Sequence, residues 1–200
     1  MADLSKRLTK KIAKNLLQEA IDWFKSVVKG VPVNPTGPGE DLPDTRHMLK
    51  RLTPKQAIGR MYMFIYDPKT KDTLPYYDRL PLVIPFSFHS DGFTGLNLHY
   101  ISPLQRAKLL DAFSGILNNS KYDDTTKIRL TYGILQSASK YKYYKPCVKR
   151  YLNNHVKSKF IEVQPSQWMH AVLLPTEKFV KASKTQVFID SRNIIQGRKP

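Results

Sequence analysis

From Thr125 to Ile161 the chain carries no acidic residue. Over the same stretch Lys127, Arg129, Lys140, Lys142, Lys145, Lys149, Arg150, Lys157 and Lys159 accumulate, with Tyr141, Tyr143, Tyr144 and Tyr151 between them. Ammonium and guanidinium groups neutralise phosphates and release their counterions, and tyrosine rings stack on exposed bases. Lys140, Lys142, Lys145, Lys149, Arg150, Lys157 and Lys159 are therefore candidate DNA contacts, and Tyr141, Tyr143 and Tyr144 are candidates to cap exposed bases. The competing reading sends the tyrosines to a core and leaves the lysines as a solvated face. The charge of the whole chain favours the first: Lys and Arg total 33 against 16 Asp and Glu, a formal charge of +17, which calls for a polyanionic partner. No zinc finger, RRM signature or helix-turn-helix pattern is present, so reading of base sequence is not indicated.

Other reactive groups give weaker patterns. A metal-dependent nuclease needs clustered carboxylates to hold a divalent ion, and the nearest arrangement is Asp123 or Asp124 followed by Glu162 and Gln164 on an expected strand. The competing reading is a helix cap and a surface glutamate. Asp67, Asp72 and Asp78 sit in Asp-Pro and Lys-Asp-Thr contexts that are ordinary turn chemistry. His89, His99, His155 and His170 do not fall at zinc-ligand spacing. Cys147 is the chain's one cysteine; it excludes an internal disulfide and fits a reducing compartment. Its basic surroundings could lower a thiol pKa, but a lone cysteine more often packs as a small apolar side chain. With no glycine-rich phosphate loop and no Ser-His-Asp order, the expectation is a non-enzymatic protein without metal or cofactor.

The elements that must position these groups follow from periodicity. Two hundred residues support one substantial core with attachments. In residues 1–30, Leu8, Ile12, Leu16, Ala20, Trp23 and Val27 recur at helical spacing with lysines between them, an amphipathic basic helix closed by Gly30. Four prolines and closely spaced glycines in "VPVNPTGPGEDLPD" then prevent regular structure, so 31–57 reads as linker and short helix. Residues 58–200 read as a single α+β domain. Within it 58–101 carries three strands, "MYMFIY", "LVIPFSF" and "TGLNLHY", bounded by Asp-Pro and Asp-Gly turns, as a small antiparallel sheet or SH3-like barrel. Residues 103–200 read as mainly helical and basic. A helix starts at Ser102-Pro103, a second near Asp124 or Thr125, and shorter ones are expected at 145–154, 165–173 and 175–182. No apolar run is long enough to cross a bilayer, and the lysine-rich start lacks the apolar block of a secretory signal.

The connection "DPKTKDTLPYYDRLP" between the first two strands carries Pro75, Pro81 and the pair Tyr76-Tyr77. Proline fixes the backbone and tyrosine contributes ring area at small entropic loss. Tyr76, Tyr77, Arg79 and, on the first helix, Trp23 are the candidates for docking a partner protein. Closing a small barrel is the competing role for the same loop.

The wording of "MYMFIYDPKTKDTLPYYDRLPLVIPF" together with "DGFTGLNLHYISPLQRAKLLDAF" resembles a family of virion proteins of T4-type tailed bacteriophages, most closely the DNA end protectors that take part in head completion. The resemblance spans Ile58 to Phe113 and, more weakly, "KPCVKRYL" and "FIDSRNI". It implies a virion protein that binds the end of packaged linear double-stranded DNA, shields it from host exonuclease after injection, and meets portal, neck or baseplate proteins. It transfers no catalytic motif. A structural adaptor of the neck, connector or baseplate, whose charge would match acidic neighbours, is the alternative, and the nuclease reading with Asp124 and Glu162 is the remote one.

Overall fold

The computed structural model describes residues 48–49, 60–117, 119–123, 126, 130, 133–134, 137, 142–163, 167–168, 171 and 176–198. The expected first helix with Trp23 lies outside these residues. The described part is α+β. Among the described residues eight strands are present: β1 (Met48–Leu49), β2 (Met61–Met63), β3 (Tyr77–Asp78), β4 (Leu82–His89), β5 (Gly92–Asn97), β6 (Val148–Leu152), β7 (Phe160–Val163) and β8 (Phe179–Val180). Two helices are delimited, α1 (Pro103–Leu117) and α2 (Lys184–Gln196).

Six strands form one sheet in the order β1-β7-β2-β4-β5-β6, and β3 pairs with β8 in a second, two-stranded sheet; every pairing is antiparallel. The three expected strands are all present, although "TGLNLHY" leaves the sheet at Asn97 and turns into a 3-10 segment, Leu98–Tyr100. Ser90 and Asp91 make the hairpin between β4 and β5, with His89 opposite Gly92. β4 holds Pro85 in its middle, and the register slips between Pro85 and Ser87. A residue without an amide donor belongs at such an irregularity, and the bulge bends the strand.

Apolar residues at consecutive strand positions cover both faces of the sheet. One face joins Met61, Met63, Leu82, Ile84 and Leu96 to Leu109 and Leu110 of α1 and Val187 of α2. The other encloses Tyr62, Phe64, Tyr66, Phe93, Tyr151 and Phe160, where the Phe64 ring lies 4.8 Å from that of Phe160 and 5.3 Å from that of Tyr151. The chain beyond β2 then meets the connection from β6 to β7: Tyr66 bridges Val156, Asp67 N donates to His155 O at 3.0 Å, and Lys157 N donates to Ile65 O at 2.8 Å. The aromatic cluster is closed in by these contacts.

Gly92 shows how tightly β5 and β6 approach. A Cβ built there would collide with the backbone carbonyl of Tyr151, which cannot rotate away. Gly92→Ala is expected to destabilise the protein by about 3 kcal/mol, seen in thermal unfolding as a Tm lower by about 6–12 °C.

Two expectations for the C-terminal half are corrected. The segment 145–154 is not a helix: a 3-10 turn, Lys142–Cys147, runs directly into β6. Pro146 has no amide to continue a helix, and β5 offers a ladder from Gly92 to Leu96 against Leu152 to Val148. The described part of 175–182 is not a helix either, because Phe179 and Val180 form β8 against β3. Among its described residues, the half expected to be mainly helical thus supplies three strands, β6, β7 and β8, beside α1 and α2. The edge strand β1 arises within the segment expected to be linker and short helix, pairing Met48 and Leu49 with Ile161 and Phe160.

The helices carry local signals. Ser102 precedes α1, and Gln105 Oε1 accepts from the Ser102 amide at 3.2 Å, half of a capping box. The Ser183 hydroxyl caps α2 by accepting from Gln186 N, and Gly197 ends it at φ 74°, a left-handed backbone that glycine adopts without a Cβ penalty.

Candidate nucleic-acid interface

The acid-free run is divided by the fold. Lys140 and Tyr141 lie outside the described residues, and Lys142 opens the 3-10 turn. In that turn Tyr143 is 61% exposed and Lys145 is exposed, while Tyr144 is half-buried against the main core. Burial, then the neighbouring Cys147, raises the Tyr144 hydroxyl pKa. Cys147 itself is fully buried, which pushes its thiol up to about 12 despite Lys149 and Arg106 nearby, so it packs as a small apolar side chain.

Along β6 the cations part company. The Lys149 ammonium sits 4.0 Å from the centroid of the Tyr100 ring, half-buried, and burial lowers its pKa. Arg150, opposite Thr94 on β5, is exposed and pairs with Asp91 of the β4–β5 hairpin. Lys157 and Lys159 are exposed on the connection to β7. The five residues of β6 put about 17 Å of extended chain between the Tyr143-Lys145 end and the Lys157-Lys159 end. The sequence run is two exposed cationic ends joined by a strand whose own cations are engaged.

The connection from β2 to β4 is held at both sides. Asp67 pairs with Lys71 at 3.1 Å, and turns close between Pro68 and Lys71 and between Thr70 and Leu74. From beyond β8, Lys181 Nζ donates to the carbonyls of Lys71, Asp72 and Leu74 at 2.6, 3.0 and 3.3 Å. Lys181 adopts φ 71°, a conformation that costs a side-chain-bearing residue about 1–2 kcal/mol and is offset by three charge-assisted bonds. Of the docking candidates, Tyr76 is half-buried, its ring 6.1 Å from Tyr100 and 6.3 Å from Phe179. Burial, then Asp190, pushes its hydroxyl up to about 12. Tyr77 is half-exposed in β3, and Arg79 is exposed.

Beneath this loop lies a buried polar network that sequence periodicity did not reveal. Asp78 Oδ2 is 2.6 Å from His99 Nδ1 and accepts from Asn97 Nδ2 at 3.2 Å. His99 Nε2 is 2.9 Å from the Thr176 hydroxyl, and Asp78 Oδ1 accepts from the amides of Leu80 and Lys178. Burial works to raise the Asp78 carboxyl, but His99, Asn97 and the Leu80 amide outweigh it and hold the pKa below its ordinary value. Aspartate, histidine and a hydroxyl in this order form the relay of hydrolases. Here Thr176 is 3% exposed, so a substrate carbonyl has no approach, and the network ties β3 to β5 and to the chain before β8. Next to it Arg106 is fully buried, donating to Ile101 O at 3.0 Å and His99 O at 3.4 Å and lying 3.6 Å from Glu177.

The carboxylates considered for metal binding are apart. Glu162 is on β7 and engages Arg60 Nη1 through both oxygens at 3.1 Å. Asp123 accepts from Thr126 N at 2.6 Å, while Asp124 and Gln164 lie outside the described residues. Asp67 serves Lys71, Asp78 serves His99, and among the described residues no group of three His, Cys, Asp or Glu side chains is placed to hold a metal. Among those residues no helix is long and apolar enough to cross a membrane.

Arg79 and Lys178 are missing from any basic run because each follows an acid, Asp78 or Glu177. The fold separates these neighbours, burying the side chain of the acid and exposing the cation.

No curated protein and no solved structure matches this chain. A family model does, that of the phage T4 terminal DNA protecting protein, over residues 45–195, a span that includes the whole sheet from Met48, the buried network and most of α2. The chain belongs to the family of phage T4 terminal DNA protecting proteins.

Proposed function

We propose that the protein binds the ends of linear double-stranded DNA and protects them from exonuclease, acting as a non-catalytic virion protein that is delivered to the host cytoplasm with the genome and assists head completion. The observation that carries this reading is the family match over residues 45–195; the charge of +17 supports it. Tyr143, 61% exposed on a turn anchored by buried Pro146 and Cys147, supplies an exposed ring able to stack on a terminal base pair. Lys145 beside it, and Lys157 and Lys159 beyond β6, take backbone phosphates. Portal, neck or baseplate proteins are the proposed virion partners, met through Tyr77 and the braced loop. The strand order β7-β2-β4-β5-β6, with a 3-10 turn, Asn153–His155, between β6 and β7, supports reading the core as a small SH3-like barrel.

Competition binding between a blunt linear duplex and a closed circle of the same sequence tests the end-specific part. The linear form is expected to win, and Tyr143→Ala to reduce its advantage by about 1–3 kcal/mol, the contribution of one stacked base. Because Tyr143 projects into solvent, the thermal stability of that variant should be nearly unchanged. Equal affinity for both DNAs would remove end recognition from the account.

A further inference from the structure

We propose that Arg79 and Lys178, joined to Lys157 and Lys159, form a second DNA-phosphate contact assembled by tertiary pairing, an inference that rests on the DNA-binding reading above. The chain segments lie side by side. Lys157 N donates to Ile65 O, Tyr66 N to Arg79 O, and Arg79 N to Lys178 O. Each step between hydrogen-bonded backbones is about 4.8 Å, so the row from Lys157 to Lys178 measures about 14 Å. That length corresponds to about four phosphate steps of one strand measured along the axis of a duplex. Arg79, Lys157, Lys159 and Lys178 are all exposed, and among the described residues none has an acidic partner.

Two further features set this row apart from ordinary surface charge. Asp78 pairs with Phe179 in the β3–β8 register, and the Arg79-to-Lys178 bond continues it, so two cations stand directly opposite each other. Like charges in opposed positions destabilise a sheet, and the free protein gains nothing from this pair. A polyanion laid across both removes the penalty. In addition, the acids adjacent in sequence are turned inward. Asp78 is hydrogen-bonded to His99 and Glu177 faces Arg106, each side chain buried. Asp67 is held by Lys71, leaving Asp72 as the exposed acid of the loop. The surface is more positive than its sequence, which is the arrangement a phosphate backbone selects. The backbone pairing fixes the row, so little backbone ordering is needed on binding.

The test uses the full chain, a linear duplex titrated over a range of salt, and the variants Arg79→Ala/Lys178→Ala and Arg79→Glu. Loss of two phosphate contacts is expected to reduce the slope of log K against log salt by about 1.8 and to weaken binding about tenfold or more near physiological salt. Arg79→Glu should weaken DNA binding while raising the Tm, since it places opposite charges across the β3–β8 pair; a residue with only a structural role would lower the Tm when reversed. Wild-type affinity and slope in the double variant overturn the proposal while leaving the DNA-binding reading intact. The same result would follow if the row served an acidic protein surface. A wild-type protein that binds no DNA defeats the parent reading and this one with it, so the two failures are distinguishable.

Discussion

Asp78→Ala is expected to cost about 3–5 kcal/mol of folding stability, the usual penalty for taking a buried carboxylate away from its hydrogen-bonded partners. The carboxylate serves His99, Asn97 and the amides of Leu80 and Lys178 at once, and its loss leaves these donors without water to replace it. For a chain of this size the Tm should fall by about 6–20 °C. The sign of the pH dependence follows from the carboxyl being held below its ordinary value of 3.8. A group whose pKa is depressed by folding contributes its full stability above the unfolded value and loses it as pH falls through the folded one. The stability gap between wild type and Asp78→Asn should therefore be constant near neutrality and narrow below about pH 4, as followed by denaturant unfolding. A gap that widened on acidification would contradict this account of the network.

Affinity for DNA should fall steeply with salt. If Arg79, Lys145, Lys157, Lys159 and Lys178 each neutralise a phosphate, five released counterions give a slope of about −4.5, or about a 500-fold loss between about 50 and 200 mM salt. Fluorescence titration of a labelled linear duplex measures it. A slope shallower than about −2 would mean that most of these cations do not meet phosphate, and the adaptor reading, in which they face an acidic protein, would take precedence.

The sequence carried some of this structure in local form and some not at all. β2, β4 and β5 announced themselves through β-branched and aromatic residues and the Asp91-Gly92 turn signal, because short apolar runs bounded by turn residues and a two-residue hairpin are specified locally. β6 was hidden. "VKRYL" reads as a basic helix until Gly92 to Leu96 is present to pair with it. β8, two residues long, exists only against Tyr77 and Asp78, so nothing local could mark it. α2 had its signals in Ser183 and Gly197.

The candidate interface divides in the same way. Tyr143, Lys145, Lys157 and Lys159 were visible because no acid interrupts the run. That Lys149 would lie on Tyr100, and Tyr144 turn toward the core, depended on tertiary packing. Arg79 and Lys178 were masked by Asp78 and Glu177, which cancel them in any count of charge along the chain. Only strand alternation and a buried histidine and arginine separate the two signs.

Protection of a linear duplex from a processive exonuclease tests the central claim most directly, with the purified full chain at moderate salt and a covalently closed circle as the control substrate lacking an end. The account predicts that linear DNA survives in proportion to occupancy of its ends, and that Tyr143→Ala combined with Lys145→Ala abolishes the protection without unfolding the protein. Linear DNA degraded at the rate of naked DNA, under conditions where binding is saturated, would contradict it.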